Sequence, residues 1–202
     1  MSRGKLYLYG ASGHGKVVVE IAESLGFDIG GFVDANPMIR ELLKYPVSTE
    51  LPLGDHVFFI SIGNNSIRKK LANDLSYKQF ETLVHANAII SQRADIGAGT
   101  VIMGGATVNV GAKIGSHCII NTNASVDHDC VIADFVHISP NVALAGDVKV
   151  GEGAHIGIGA CVIQGINIGK WCTIGAGAVI IDDIPDGATV VGNPGKIIKI
   201  AN

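Results

Sequence analysis

Two periods divide the chain. Up to residue 83, short apolar runs alternate with stretches whose apolar positions fall three or four apart. Leu6 to Tyr9 predicts a strand, Lys16 to Leu25 a helix with Val17, Val18, Ile21, Ala22 and Leu25 on one side, and Gly31 to Val33 a second strand. Val57 to Ile62 predicts another strand and Asn65 to Leu75 another helix, with Asn64 or Asn65 as its cap. Strand and helix alternate, which implies a small parallel α/β sheet of Rossmann-like type over residues 1–83.

From Val84 an aliphatic residue returns at every sixth position, through Ile90, Ile96 and Ile102 to Ile180, and all seventeen are Ile, Val or Leu. Four places after each stands a mostly small residue, such as Ala88, Ala94, Thr100 and Ala178. A helix repeats at 3.6 residues and cannot hold a period of six. A continuous strand alternates at two. Each hexad is therefore a short strand plus a corner, and stacked hexads with inward aliphatic and small residues make an all-β parallel β-helix over residues 84–202. Asp182-Asp183-Ile184-Pro185-Asp186 ends the repeat, and Val190 to Ile200 forms a tail containing Asn193-Pro194-Gly195-Lys196.

This pattern accounts for a composition that otherwise suggests a membrane protein, with 48% apolar residues, 16% charged and 27 glycines. Uninterrupted apolar runs reach about four residues, as in Val57-Phe58-Phe59-Ile60, against the roughly 18 to 20 that a span needs, so no membrane span is expected. A net charge of -3 offers no basic face to nucleic acid. The opening Met1-Ser2-Arg3-Gly4-Lys5-Leu6-Tyr7 lacks the apolar stretch of a secretion signal, which makes the cytoplasm the expected location. Cys118, Cys130, Cys161 and Cys172 form no CxxC pair and read as reduced core residues.

Two segments carry candidate chemistry. Gly10-Ala11-Ser12-Gly13-His14-Gly15 lies between a strand and a helix, where backbone N–H groups and a helix N-terminus receive phosphate. Asp34, after the next strand, is placed for a ribose hydroxyl or a base edge, and Gly63-Asn64-Asn65 follows the third strand at the same sheet edge. The spacing is GxxGxG, not the GxGxxG of a nicotinamide dinucleotide site; a ligand-free tight turn is the plain alternative. In the repeat region, the third and fourth hexad positions fall at corners, which puts His128 and Asp129 outside, where an acid neighbour raises the basicity of an imidazole. A solvated corner charge is the alternative for Asp129. Cys130 takes the inward position and is discounted as a nucleophile, and His56 and His85 read as surface or packing residues.

Three segments together, Tyr9-Gly10-Ala11-Ser12-Gly13-His14-Gly15, Ile62-Gly63-Asn64-Asn65-Ser66-Ile67-Arg68-Lys69-Lys70 and Asn121-Thr122-Asn123-Ala124-Ser125-Val126-Asp127-His128-Asp129-Cys130, resemble the bacterial nucleotide-sugar N-acetyltransferases of the bacillosamine pathway. Perosamine N-acetyltransferases and sialic acid O-acetyltransferases are their relatives, and the similarity runs along the whole chain. The resemblance implies a left-handed β-helix with three hexads per coil, hence about 27 Å of stacked coils at roughly 4.8 Å per layer. It implies acetyl-CoA as co-substrate, no metal, a UDP-linked 4-amino sugar as acceptor, and a homotrimer with CoA in the groove between prisms. His128 matches the general base. Asp129 stands where the bacillosamine enzyme has a longer Glu. Ser12, Gly13, His14, Asp34 and Gly63 match nucleotide contacts, and Asn121 matches a sugar contact. His137 matches a residue at the acetyl-CoA end, and Gly146 a backbone N–H donor to the thioester carbonyl. Ile158 and Ala176 are the further positions expected to bind the cofactor. With 18 residues per coil, His137 lies between Ile119 and His155, and Gly146 lies one coil beyond His128. The stacked histidines could imitate part of a three-histidine zinc site, although no spacing gathers a third ligand. O-acetylation of a sialic acid or related sugar, and a non-catalytic nucleotide-sugar scaffold, are the competing functions.

Overall fold

The computed structural model describes residues 4–201. Its N-terminal part is a six-stranded sheet in the order β3-β4-β2-β1-β5-β6, with β1 at Leu6–Tyr9, β2 at Ile29–Val33, β3 at Glu41–Leu42, β4 at Tyr45–Ser48, β5 at Val57–Ile60 and β6 at Gln79–Phe80. All pairings are parallel except β3 with β4, a small edge hairpin that the apolar pattern does not announce. Helix α1 spans Gly13–Ser24 and α2 spans Asn65–Asp74. Asn64 caps α2 by accepting from the Ile67 N–H at 3.0 Å. The buried stripe of α1 is Gly15, Val18, Val19 and Ala22 with Ile21, whereas Val17 and Leu25 are exposed. Relative to the expected stripe the buried face takes in Gly15 and Val19 in place of Val17 and Leu25, and the helix begins three residues earlier than expected, at the glycine loop itself.

From Leu83–Val84 to Val179–Ile180, seventeen two-residue strands, β7 to β23, follow one another at the six-residue step. Val101 pairs in parallel with Leu83 on one side and Ile119 on the other, so one coil is 18 residues, or three hexads. The aliphatic and small positions fill the prism interior as one continuous cluster. The tail folds as an antiparallel hairpin of β24 (Ala188–Val191) and β25 (Lys196–Ile200), with β24 extending the ladder above Thr173–Ile174.

The outward strand residues give the three faces different characters. The first face carries Leu83, Val101 and Ile119, all buried, then His137, His155 and Thr173. Its apolar half joins Leu6, Leu8, Val18, Ala22 and Phe32 in a core shared with the N-terminal sheet. The second face shows only uncharged residues, Ile89, Thr107, Ser125, Ala143, Cys161 and Val179. The third carries Asp95, Lys113, Val131, Lys149 and Asn167. Cys118, Cys130 and Cys172 are buried, but Cys161 is exposed, since it occupies the outward strand position of the second face.

From Gly99 to Gly177, each corner holds one residue in the left-handed region. Glycine, Asn or Asp fills it at Gly99, Gly105, Gly111, Asn123, Asp129, Asn141 and Asp147, as the backbone geometry favours. The exceptions are His117 (φ 54), Phe135 (φ 61) and Trp171 (φ 56), bulky residues for which this conformation costs on the order of 1–3 kcal/mol each. They share one corner column with Gly99 and Gly153, and this is the column on which α2 docks. The His117 and Phe135 rings stack at 5.4 Å, Phe80 meets His117 edge-on at 4.7 Å, and Lys69 lies over both Phe135 and Trp171.

Candidate active site

The expected nucleotide residues gather at the carboxyl ends of β1, β2 and β5. The glycines of the loop sort into two kinds. A Cβ on Gly10 (φ 117) would lie 2.5 Å from the Ile62 side chain, and one on Gly15 would lie 2.5 Å from the Gly10 carbonyl, so both are needed for the turn itself. Gly13 and Gly63 meet nothing within 4 Å and have no such reason within the chain. The first helical bond of this turn runs from the Lys16 N–H to the Ser12 carbonyl, which leaves the N–H groups of the first turn of α1 outside the helix ladder. Ser12 makes no side-chain cap, so its hydroxyl is also uncommitted to the helix. Asp34 accepts from the Ala11 N–H at 2.8 Å and from the Asn36 N–H at 2.9 Å, bracing the loop.

His14 is half-buried, and its Nε2 is buried without a partner. Burial, and then the Arg68 charge, lower its pKa to about 4, which keeps the ring neutral. Nearby, Asn121 and His137 fix one another. The Thr122 N–H donates to Asn121 Oδ1 at 2.8 Å, which turns Asn121 Nδ2 toward His137 Nε2 at 3.1 Å. His137 Nε2 is therefore the acceptor, which leaves the ring proton on Nδ1, and Gly63 lines the same cleft as His137. Burial, followed by the charges of His155, Arg68 and His14, pushes the His137 pKa down to about 3.

His137 and His155 stack at 4.8 Å with an interplanar angle of 9°, and His155 Nε2 bonds Ser139 Oγ at 2.9 Å. Parallel rings with nitrogens engaged sideways do not converge on a common point, which is not the geometry of a zinc pair. Together with Gly63, Asn65, Trp171 and Thr173 these histidines line a cleft of about 470 Å³ between α2 and the upper first face. A hollow of about 530 Å³ around Asp55, His56 and Lys78 lies at the opposite end of the N-terminal sheet and touches none of the expected site residues. There His56 packs its ring 5.0 Å from Tyr7.

His128 and Asp129 lie elsewhere, at the corner between the second and third faces. His128 Nδ1 is 2.9 Å from Asp129 Oδ2, and both side chains are open to solvent. The His128 N–H donates to Asp127 Oδ1 at 2.7 Å, and Asn109 Nδ2 holds that same oxygen at 2.8 Å. Two glycines make room for the pair. A Cβ on Gly111 would meet Asp129 Oδ1 at 2.5 Å, and one on Gly146 would meet the His128 ring at 2.5 Å. The hydrogen bond to Asp129, and then the charge of Asp127, raise the His128 pKa above its ordinary value. With Nδ1 engaged, Nε2 is left as the basic nitrogen. The Gly146 carbonyl accepts from the Gly165 N–H, while the Gly146 N–H has no backbone acceptor among the described residues. Burial raises the Cys130 thiol, whose Sγ points to the Ala145 carbonyl.

Ile158 and Ala176 occupy the remaining kind of corner, between the first and second faces, one coil apart and exposed. A single chain therefore brings Gly63 and Asn121 to His137 in the cleft, with His14 near it, and keeps His128, Asp129 and Gly146 on a different edge. Residues outside the expected set, Asn65 and Arg68, turn out to join the two parts. Asn65 Nδ2 donates to the carbonyls of Gly153 and Ala154, and Arg68 reaches those of His117 and Phe135.

The family model described as the PglD N-terminal domain matches residues 5–75. UDP-N-acetylbacillosamine N-acetyltransferase of Bacillus subtilis (strain 168) is 43% identical over 107 residues, a match that spans 48% of this chain and only 50% of that curated relative's length. The acetyltransferase domain of PglB from Neisseria gonorrhoeae FA1090, in complex with acetyl coenzyme A, superposes with a TM-score of 0.90 at 39% identity, covering 98% of this chain and 100% of that one. PerB from Caulobacter crescentus, in complex with CoA and GDP-perosamine, gives a TM-score of 0.90 at 35% identity over 98% and 99% of the two chains. No helix among the described residues is long and apolar enough to cross a membrane. With near-complete coverage at this identity, the chain belongs to the nucleotide-sugar N-acetyltransferase family built from a PglD-type N-terminal domain and a hexapeptide-repeat β-helix.

Proposed function

We propose that the protein transfers the acetyl group of acetyl-CoA to the amino group of a nucleotide-linked 4-amino sugar, with UDP as the nucleotide and His128 as the general base. The observation that carries this reading is the His128–Asp129 pair at 2.9 Å seated on Gly146. The sugar amine attacks the thioester carbon while His128 Nε2 takes its proton, a contribution of roughly 10²- to 10⁴-fold. The Gly146 N–H donates to the developing oxyanion, worth about 3 kcal/mol when aligned. Collapse of the tetrahedral species breaks the C–S bond, and the imidazolium returns the proton to the CoA thiolate. The product is an acetamido sugar plus free CoA, with no acyl-enzyme.

The nucleotide is held by the Ser12, Gly13, His14 loop with Asp34 and Gly63. The unhindered approach to Gly13 and Gly63 and the uncommitted first turn of α1 support this placement. UDP is favoured by the named activity of the Bacillus subtilis relative, whereas PerB was solved with a GDP-sugar. Asn121 faces the sugar, and His137, Gly146, Ile158 and Ala176 line the path of CoA. Because His128 and the cleft lie on different edges of one prism, the active site is completed between chains of a homotrimer. The uncharged second face, beside a third face carrying Asp95, Lys113 and Lys149, supports burial of that face against another copy.

Release of CoA thiol with a panel of UDP-, GDP- and CMP-linked amino sugars, and of matching hydroxyl acceptors including a sialic acid, tests this function. Turnover with a UDP-linked amino sugar is the expected result. Activity confined to hydroxyl acceptors would replace it with O-acetylation, and tight nucleotide-sugar binding with no CoA consumption would leave only the scaffold.

A further inference from the structure

We infer that Arg68 is a positioning residue for the transfer: its guanidinium pins the Ile62–Gly63 loop to the β-helix and thereby sets where the sugar amine is presented, given the acetyltransferase reading of the cleft on which this rests. Arg68 is 1% exposed and takes part in none of the ion pairs among the described residues. Its hydrogen bonds go to neutral oxygens. Nε donates to the His117 carbonyl at 2.7 Å, and one Nη2 bond reaches the Phe135 carbonyl at 2.9 Å, so two successive coils are held at the same corner column. Nη1 donates to the carbonyls of Ile62 at 2.9 Å and Gly63 at 3.2 Å. The other Nη2 bond goes to Asn65 Oδ1 at 2.9 Å, and Asn65 carries the contact on to Gly153 and Ala154 in the next coil.

A buried charge without a counterion is expensive, and an apolar side chain of similar volume would pack α2 with less desolvation. What an apolar side chain cannot do is hold a substrate loop and two β-helix corners in one planar fork. The loop it holds is the one whose Gly63 lines the cleft with His137 and whose Cα side faces open space. Arg68 thus lies behind the nucleotide side of the cleft and acts through the loop, without touching substrate. Group transfer between two separately bound molecules is sensitive to such placement, a misplacement of about 1 Å being worth on the order of 10²-fold in rate. Lysine keeps the charge but offers three donors from one point, which cannot span the fork.

The test compares wild type with Arg68→Met, Arg68→Lys and Asn65→Ala in the full chain. It measures kcat with the accepted nucleotide sugar, calorimetric Kd for UDP and for CoA, and backbone hydrogen exchange at residues 62–66. For Arg68→Met, kcat falls by about 100-fold while both Kd values stay within about threefold, and exchange at 62–66 speeds up. Arg68→Lys recovers only part of the rate, and Asn65→Ala shows the same split at about tenfold. A folded Arg68→Met protein with kcat within threefold of wild type overturns the inference, as does a loss of kcat matched by equal losses of UDP and CoA affinity. Should Arg68→Met fail to fold, Asn65→Ala is judged by the same criteria. If wild type acetylates nothing in the acceptor panel, the acetyltransferase reading fails on its own, and unchanged exchange at 62–66 in the variants is then the result that removes Arg68 as the holder of the loop.

Discussion

The two histidine groups of this chain sit in opposite electrostatic surroundings. At the outer corner, His128 is exposed, bonded to Asp129 and close to Asp127 and Asp147, and its pKa is raised. At the seam between the domains, His14, His117 and His137 are largely buried around the Arg68 cation, and burial with that charge lowers them to about 4, 4 and 3. One residue type is thereby made more basic where carboxylates surround it, and kept as a neutral hydrogen-bonding and packing group where a cation does. Of these two groups, the corner histidine is the one held basic, as the proposed removal of a proton from an amine requires.

The largest expected effect comes from erasing the corner side of this contrast. His128→Ala should lower kcat/KM by roughly 10²- to 10⁴-fold with CoA binding retained; unchanged turnover would take His128 out of the chemistry. Gly146→Ala should follow, at about 10- to 100-fold in kcat. Its Cβ would fall 2.5 Å from the His128 ring and push both base and oxyanion donor out of place. A crystal structure of that variant showing an unmoved ring with full activity would sink the explanation.

Asp129→Asn sharpens the electrostatics. On the proposed mechanism the neutral His128 imidazole is the active form, and because its pKa is raised the acid limb of kcat/KM should lie above pH 6.5, the ordinary value, in the wild type. Removing the largest cause of the shift should move that limb to lower pH, read from pH–rate profiles of the two proteins. A limb that stays in place would mean that Asp129 is only a solvated corner charge.

The seam should respond to acid in the opposite sense. Its folded-state pKa values are depressed, so between pH 6.5 and about 4 the unfolded chain binds protons that the folded seam refuses, and stability falls as pH drops through that window. Calorimetric unfolding should show a lower Tm at pH 5 than at pH 7, by several degrees, on the order of what 1–2 kcal/mol produces. Equal Tm values would contradict the neutral, buried assignment.

Much of this was legible in advance because it depends on period. A repeat of six dictates the strands, the inward aliphatics and the corner positions of His128, Asp129 and Gly146 without reference to distant contacts. The hairpin of β3 and β4 escaped because strands of two and four residues at a sheet edge carry too few apolar positions to show alternation. The seam escaped for a different reason: Asn65 and Arg68 read as a polar helix start, and only tertiary placement converts them into a buried latch. A trace of it was nonetheless present. From Gly99 to Gly177, the corner position of each hexad is Gly, Asn or Asp except at His117, Phe135 and Trp171, which are separated by multiples of the 18-residue coil. Three bulky residues in a strained conformation on one column mark a surface that another element must cover.

The claim that the corner of one chain works on the cleft of another is tested most directly by subunit complementation. His128→Ala chains keep the nucleotide cleft, and Asp34→Ala chains keep the base; each is expected to be nearly inactive alone. Mixed in equal amounts into trimers, about one site in four would pair an intact cleft with an intact His128 from the neighbour, so activity should return to about a quarter of wild type. No recovery in trimers verified to be mixed would place both halves of the site within a single chain and contradict the account.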